Sequence, residues 1–186
     1  MFPRVTHCAE MARGKFLSLR LLDWIDSRGS VRNWESAERL EGFRAVMIIP
    51  RLVQSERMVL IRQYRPPAQE WVVEFPAGIL LSGEDPADGA RRELREETGY
   101  VAGRVEIFPP TFTSPGLSNE TVYAAVVDID EMIPENIDRK TEFDPGEMIE
   151  TVLVLRADLS DFYRRQSAEG MRFDSKLAAY ILANSR

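Results

Sequence analysis

Residues 78–99 read GILLSGEDPADGARRELREETG, and from this stretch the rest of the chain can be placed. Its second half predicts a helix over residues 85–97, with Asp85 as N-cap, Pro86 in the first turn and Gly99 as terminator. Glu93, Glu96 and Glu97 stand at i, i+3 and i+4, so they share one helix face. Ala87, Ala90 and Leu94 form a neighbouring apolar stripe, which lets the helix bury one side while holding three carboxylates beside it. Glu93 and Glu97 repel each other by a few tenths of a kcal/mol when exposed, and by more as the site dries out. A divalent cation turns that repulsion into coordination. Magnesium suits the pattern because it takes a few carboxylates and completes its octahedron with water and substrate phosphates. A lone Glu-Glu pair would read more simply as a solvated acidic face, so the surroundings decide.

Upstream, residues 43–49, 58–64 and 71–75 are β-branched or aromatic enough for strands, and Pro66-Pro67 breaks the chain between the last two. Downstream, strands are expected at 104–108, 121–128 and 149–155. Helices follow at about 159–166 and 175–184, where Ala178, Ala179, Ile181 and Leu182 offer an apolar face. Between Ile129 and Gly146 lies a long acidic stretch of weak periodicity, the kind that is disordered or functional in compact domains. Near the N-terminus, residues 15–23 alternate, which predicts a strand burying Leu17, Leu19 and Leu21. Residues 27–30 form a turn, and 31–36 return as a second strand. Residues 1–42 are thus read as a small three-stranded antiparallel β segment with too little core to stand alone, to be packed on something else such as a second subunit. Residues 43–186 form the main domain. Strands, helix, strands, helices in that order indicate an α+β chain, an α/β/α sandwich around a mixed sheet.

At 186 residues the chain fills one domain with a small accessory segment. Asp and Glu outnumber Lys and Arg by 30 to 24, a net charge of −6, which disfavours a nucleic-acid backbone as partner. One cysteine, Cys8, excludes an internal disulfide and a cysteine-based zinc site. One histidine, His7, has no evident Ser or Cys partner, so a histidine triad is a poor candidate. No apolar run is long enough to span a bilayer, and residues 1–14 carry no secretory signal pattern; a cytoplasmic protein away from membranes is expected. Chemistry here falls to carboxylates and metals.

The full spacing is Gly78, five residues, Glu84, seven residues, Arg92-Glu93-Leu94, one residue, Glu96-Glu97, one residue, Gly99. Eight fixed positions, each met by chance about one time in 15, make an accidental hit rarer than ~1 in 100,000. The pattern resembles the Nudix box, the loop-helix-loop signature of the Nudix hydrolase family, whose fold is an α/β/α sandwich. Tyr100 departs from it, since the box ordinarily ends in an aliphatic residue, a change that bears on packing. The resemblance implies Glu93, Glu96 and Glu97 as metal ligands, joined by the carbonyl of Ala77. It also implies Arg92 as the residue that orients a glutamate, and Glu84 as an outer carboxylate. Two or more Mg²⁺, or Mn²⁺, per active site are implied.

Outside the box, Gln63-Tyr64-Arg65-Pro66-Pro67 and Glu74-Phe75-Pro76-Ala77-Gly78 look like the approach to it in ADP-ribose and ADP-sugar pyrophosphatases. Ser114 to Glu120, with Pro115 sixteen residues beyond Gly99, is similar to their substrate loop, and implies Pro115, Gly116 and Leu117 as substrate-binding residues. Arg32 to Arg39 resembles the same group. By that likeness Trp34 and Phe16 stack on the base, in a homodimer with swapped N-terminal segments; a base stack is worth ~1–3 kcal/mol. The plainer reading makes both aromatics strand residues packed on the main domain. Arg39 and Arg65 match family arginines that meet the diphosphate or terminal ribose, for which a guanidinium fork is suited.

The reaction implied is attack of water on one phosphorus of ADP-ribose, giving AMP and ribose 5-phosphate. Glu147, which follows Gly146, matches the family position of the base best; Glu150, Glu142 and Asp144 remain alternatives. Two rival functions are open. One is hydrolysis of GDP-mannose or another nucleotide sugar. The other is a non-catalytic sensor of ADP-ribose, which would go with a degraded box and an added DNA-binding domain, neither of which is visible.

Overall fold

A computed structural model of the chain describes residues 2–40, 44–143 and 146–185. It divides into two units, Met1–Ala45 with Pro110–Val122, and Val46–Pro109 with Tyr123–Arg186. Each is taken in turn.

The first unit is a three-stranded antiparallel sheet of β1 (Arg4–Arg13), β2 (Leu17–Ile25) and β3 (Val31–Arg39), ordered β1-β2-β3. The β2–β3 turn is held by Asp26, whose Oδ1 accepts the amides of Arg28 and Ser30 at 2.9 Å each. Strand β1 supplies the third strand of the segment, whose bounds the sequence reading left open, and β2 begins two residues later than alternation suggested. The expected burial of Leu17 and Leu19 is overturned: they are 48% and 37% exposed, while Ser18 between them is 2% exposed. Alternation shows that a strand has two different faces, but which one is covered depends on what packs there.

The second unit is built on a larger sheet. Its elements are β4 (Arg44–Leu52), β5 (Arg57–Arg65), β6 (Glu70–Glu74), β7 (Ala77–Ile79), α1 (Pro86–Thr98), β8 (Val105–Phe112) and β9 (Thr121–Ile129). There follow α2 (Pro134–Ile137), β10 (Ile149–Leu155), a 3₁₀ turn (Arg156–Asp158), α3 (Leu159–Ala168), β11 (Arg172–Phe173) and α4 (Ser175–Ala183). The strand order is β11-β6-β5-β4-β9-β8, with β10 also pairing β5 and β7 pairing β4. Strand β11 runs parallel to β6, whereas β5 is antiparallel to β6 and to β10, so the sheet is mixed.

Two cores lie on its two faces. Val59 of β5 packs with Leu80, Ala90, Leu94 and Tyr100 beneath α1. Its neighbours Met58 and Leu60 pack with Phe75, Leu159, Leu177 and Ile181 beneath α3 and α4. Period two along one strand thus feeds both layers, giving the α/β/α sandwich that the element order implied. The buried stripe of α4 is Leu177 and Ile181, an i,i+4 pair, while Leu182 is 61% exposed; the expected face was one position off. Tyr100, the departure at the end of the box, is buried, and the Arg139 guanidinium lies 4.5 Å from its ring centroid.

The acidic stretch is not shapeless. Pro134 opens a single helical turn, α2, and buried Asn136 ties it down. The Asn136 amide oxygen accepts from Val101 N at 2.7 Å, and its nitrogen donates to the carbonyls of Val101 and Asp130 at 3.1 and 2.8 Å. No helix among the described residues is long and apolar enough to cross a membrane.

Candidate active site

Helix α1 presents the box glutamates as its sequence required. Asp85 caps it by accepting the Ala87 amide at 2.8 Å, and Gly99 ends it in the left-handed region at φ 75° with its amide on Arg95 O. Buried Ala90 and Leu94 set the roll of the helix, and Glu97 on the adjoining strip is 3% exposed. Strand β7 passes alongside. The Ala77 amide donates to Glu97 Oε2 at 3.1 Å. A Cβ added to Gly78 would stand 1.9 Å from the carboxyl carbon of Glu93, so only glycine lets that carboxylate lie where it does.

Burial pushes the Glu97 carboxyl up to about 9; the charge of Glu93 adds to this, the Ala77 amide opposes it, and Glu147 and Glu74 add smaller effects. Glu93 is also raised, by burial first, against the opposing hydrogen bond of Arg92 and with Glu96 and Glu147 adding to the rise. Two carboxylates in shared, partly desolvated ground, with a third on the same face, carry oxygen donors of the kind a hard divalent cation takes.

Arg92 binds the cluster together. Its Nε and Nη2 each donate to one oxygen of Glu84 at 2.9 Å, its Nη1 to Glu93 at 2.8 Å and Glu96 at 3.0 Å, and its Nη2 also to the carbonyl of Ile79 at 3.0 Å. Hydrogen bonding from Arg92 holds the Glu84 carboxyl below its ordinary range despite burial. Among the described residues no three carboxylate, histidine or cysteine side chains converge on one point in ligand geometry; the Arg92 guanidinium bonds Glu93 and Glu96 instead.

Of the four candidate bases, Glu147 lies within electrostatic reach of both Glu93 and Glu97. Glu150 stands opposite Arg62 in the β10–β5 ladder and is bonded to it at 2.6 Å. Glu142 is exposed, its amide on Glu96 O at 2.9 Å and its carboxylate 3.6 Å from Arg95. Asp144 lies outside the described residues.

Arg65, at the end of β5, makes a two-point ion pair with Glu74: Nε to Oε1 at 2.8 Å and Nη2 to Oε2 at 2.9 Å. Glu74 was quoted as part of a motif but given no role by sequence reasoning. The two residues are nine apart and are not opposite each other in the β5–β6 register, which sets Arg65 against Glu70 and Glu74 against Ile61, so only the side-chain contact itself shows them to be partners.

In the first unit the other candidates gather. Trp34 Nε1 donates to Gly116 O at 3.0 Å, and Ala37 N to Leu117 O at 2.9 Å. Trp34 and Pro115 line one pocket of about 360 Å³ together with Leu22 and Trp24. Arg39 Nε donates to Glu120 at 2.6 Å, a partner that sequence reasoning passed over. Phe16 is 61% exposed, sits under Lys15 Nζ at 4.9 Å, and is not part of the Trp34 pocket.

A family model described as NUDIX domain matches residues 42–171. A Nudix hydrolase of Schizosaccharomyces pombe is 33% identical over 175 residues, 90% of this chain and 85% of its own. The ADP-sugar pyrophosphatase of Mus musculus is 33% identical over 181 residues, 93% of this chain and 83% of its own. Among solved structures, an ADP compounds hydrolase superposes with a TM-score of 0.73 at 24% identity, covering 88% of this chain and 84% of that one, which speaks to the fold. With the box at full spacing, its glutamates lined up along one helix beside β7, and both match and relatives extending well past the box, this chain belongs to the Nudix hydrolase family.

Proposed function

We propose that this Nudix hydrolase cleaves the diphosphate bridge of ADP-ribose or a related ADP-sugar, with Mg²⁺, giving AMP and a sugar phosphate. The observation that carries the reading is Glu97, buried beside Glu93 and against the Ala77 amide in a strip of carboxylates that a divalent cation would relieve. The substrate class rests on the names of relatives, ADP-sugar pyrophosphatase in Mus musculus and ADP-ribose pyrophosphatase in Saccharomyces cerevisiae, the latter 29% identical over 179 residues.

In this reading Glu93, Glu96, Glu97 and the carbonyl of Ala77 hold two or more ions. When bound, these supply positive charge against the diphosphate and lower the pKa of water. Arg92, anchored on Glu84, keeps Glu93 and Glu96 from splaying apart. Glu147 takes the proton of the attacking water. Arg65 meets the diphosphate from β5. Residues 1–42 serve the base and the dimer: Trp34 stacks on adenine, its edge fixed by Gly116, with Arg39, Pro115 and Leu117 alongside, and N-terminal segments exchanged between protomers so that Phe16, outside the Trp34 pocket of its own protomer, supplies the second face across the dimer. Exposed Leu17, Leu19 and Val31 support a second copy covering that sheet.

The test is a panel of nucleoside diphosphate compounds with Mg²⁺, reading phosphate after phosphatase treatment, for wild type and Glu97→Gln. ADP-ribose should lead and the variant should lose most activity. A lead by GDP-mannose would overturn the base assignment at Trp34. Binding of ADP-ribose without cleavage would replace the enzyme by a sensor.

A further inference from the structure

We propose that Glu74 is a positioning residue, whose carboxylate presents the Arg65 guanidinium to the substrate's diphosphate. The inference rests on the reading above that the diphosphate is bound beside the α1 carboxylates. Glu74 is 8% exposed on β6, and a carboxylate buried that far needs a strong partner. Arg65 supplies it side-on, spending Nε and one Nη2 hydrogen at 2.8 and 2.9 Å. A guanidinium is planar and carries five N–H groups, so pairing along that edge turns the Nη1–Nη2 edge away from Glu74 with donors to spare.

The neighbourhood explains why such an anchor is needed. Arg65 and Glu97 lie within electrostatic reach of each other, and Glu74 is felt at Glu97 as well. An unanchored arginine here would fall onto the box glutamates, as Arg92 does when it bonds Glu84, Glu93 and Glu96. Arg92 has all three nitrogens engaged that way, so it has no open edge for a phosphate. Glu74 holds Arg65 out of that trap by two charge-assisted bonds. A guanidinium edge fixed in this way can bond two diphosphate oxygens without first giving up a carboxylate.

The test is a double-mutant cycle on the full chain with Mg²⁺, using the diphosphate that wild type cleaves fastest, so that a wrong sugar or base leaves the cycle intact. Glu74→Gln should raise KM about tenfold with kcat within about twofold, the loss expected for one charge-assisted bond. Arg65→Ala should raise KM by at least as much, and Glu74→Gln with Arg65→Ala should be no worse than Arg65→Ala alone. Thermal unfolding of each variant separates this from general loss of structure, since a misfolded Glu74→Gln would lose kcat and melting temperature together. Kinetics unchanged in Glu74→Gln would overturn the proposal. So would a loss in kcat at wild-type KM, which would put Glu74 at the cation instead, or additive losses in the cycle.

Discussion

Gly78 and Glu93 interlock: the carboxyl group of Glu93 occupies the space that a side chain at 78 would need, with all three of its carboxyl atoms within 2.1 Å of an added Cβ. The box glycine is therefore tied to a glutamate fifteen positions later in the chain. Gly78→Ala should displace Glu93 without disturbing the sheet. Activity should fall by at least ~100-fold, the scale on which a misplaced group costs rate. The midpoint of Mg²⁺ titration, followed by melting temperature, should move to higher concentration. An alanine variant with wild-type turnover would show that Glu93 has another place to go.

In EDTA, stability should depend on pH through Glu97. Its carboxyl, ordinarily near 4.5, is pushed up to about 9 in the fold by burial and by Glu93. The native state therefore keeps a proton that the unfolded chain has released, so this group's contribution is full below about 4.5 and is lost as pH rises towards about 9. Glu97→Gln removes the dependence. At pH 8 without metal it should melt higher than wild type by roughly 5 °C, while the rise in melting temperature that Mg²⁺ gives wild type should shrink. A variant less stable than wild type in EDTA would contradict this.

Glu147 and Glu150 can be told apart by mutation. Glu150 is occupied by Arg62 at 2.6 Å, whereas Glu147 is felt at Glu93 and Glu97. Glu147→Gln should lower kcat by ~10²–10⁴-fold, and Glu150→Gln by little, at saturating substrate. The opposite ranking would move the base to β10.

Asn136 should matter for stability out of proportion to the single turn it occupies. It is 4% exposed and makes three hydrogen bonds to backbone groups of residues 101 and 130. Replacement by alanine orphans those groups, and urea unfolding should show a loss of ~2 kcal/mol. A loss under half of that would mean water takes over its bonds.

Within residues 78–99 the sequence by itself determined the helix, its two ends, its buried stripe and the face on which Glu93, Glu96 and Glu97 stand. Each of these depends on local φ/ψ preference, capping and a period of 3.6, which are written in neighbouring residues. It also determined the layer order, because strand and helix signals alternate with enough contrast to be read one at a time. Other features rest on contacts between residues far apart in the chain. Leu17 and Leu19 carry the alternation of a strand, but what covers a face is a property of its neighbours. Asn136 looks like a loop residue until Val101 is placed beside it. Glu74 gained a partner only when the Arg65 side chain was placed against it, four positions along the β5–β6 ladder from its own register partner Ile61, and Gly78 its reason only when Glu93 was brought against β7. Tertiary structure decided these, because a hydrogen bond or a steric exclusion is set by distance in space and leaves no period in the sequence.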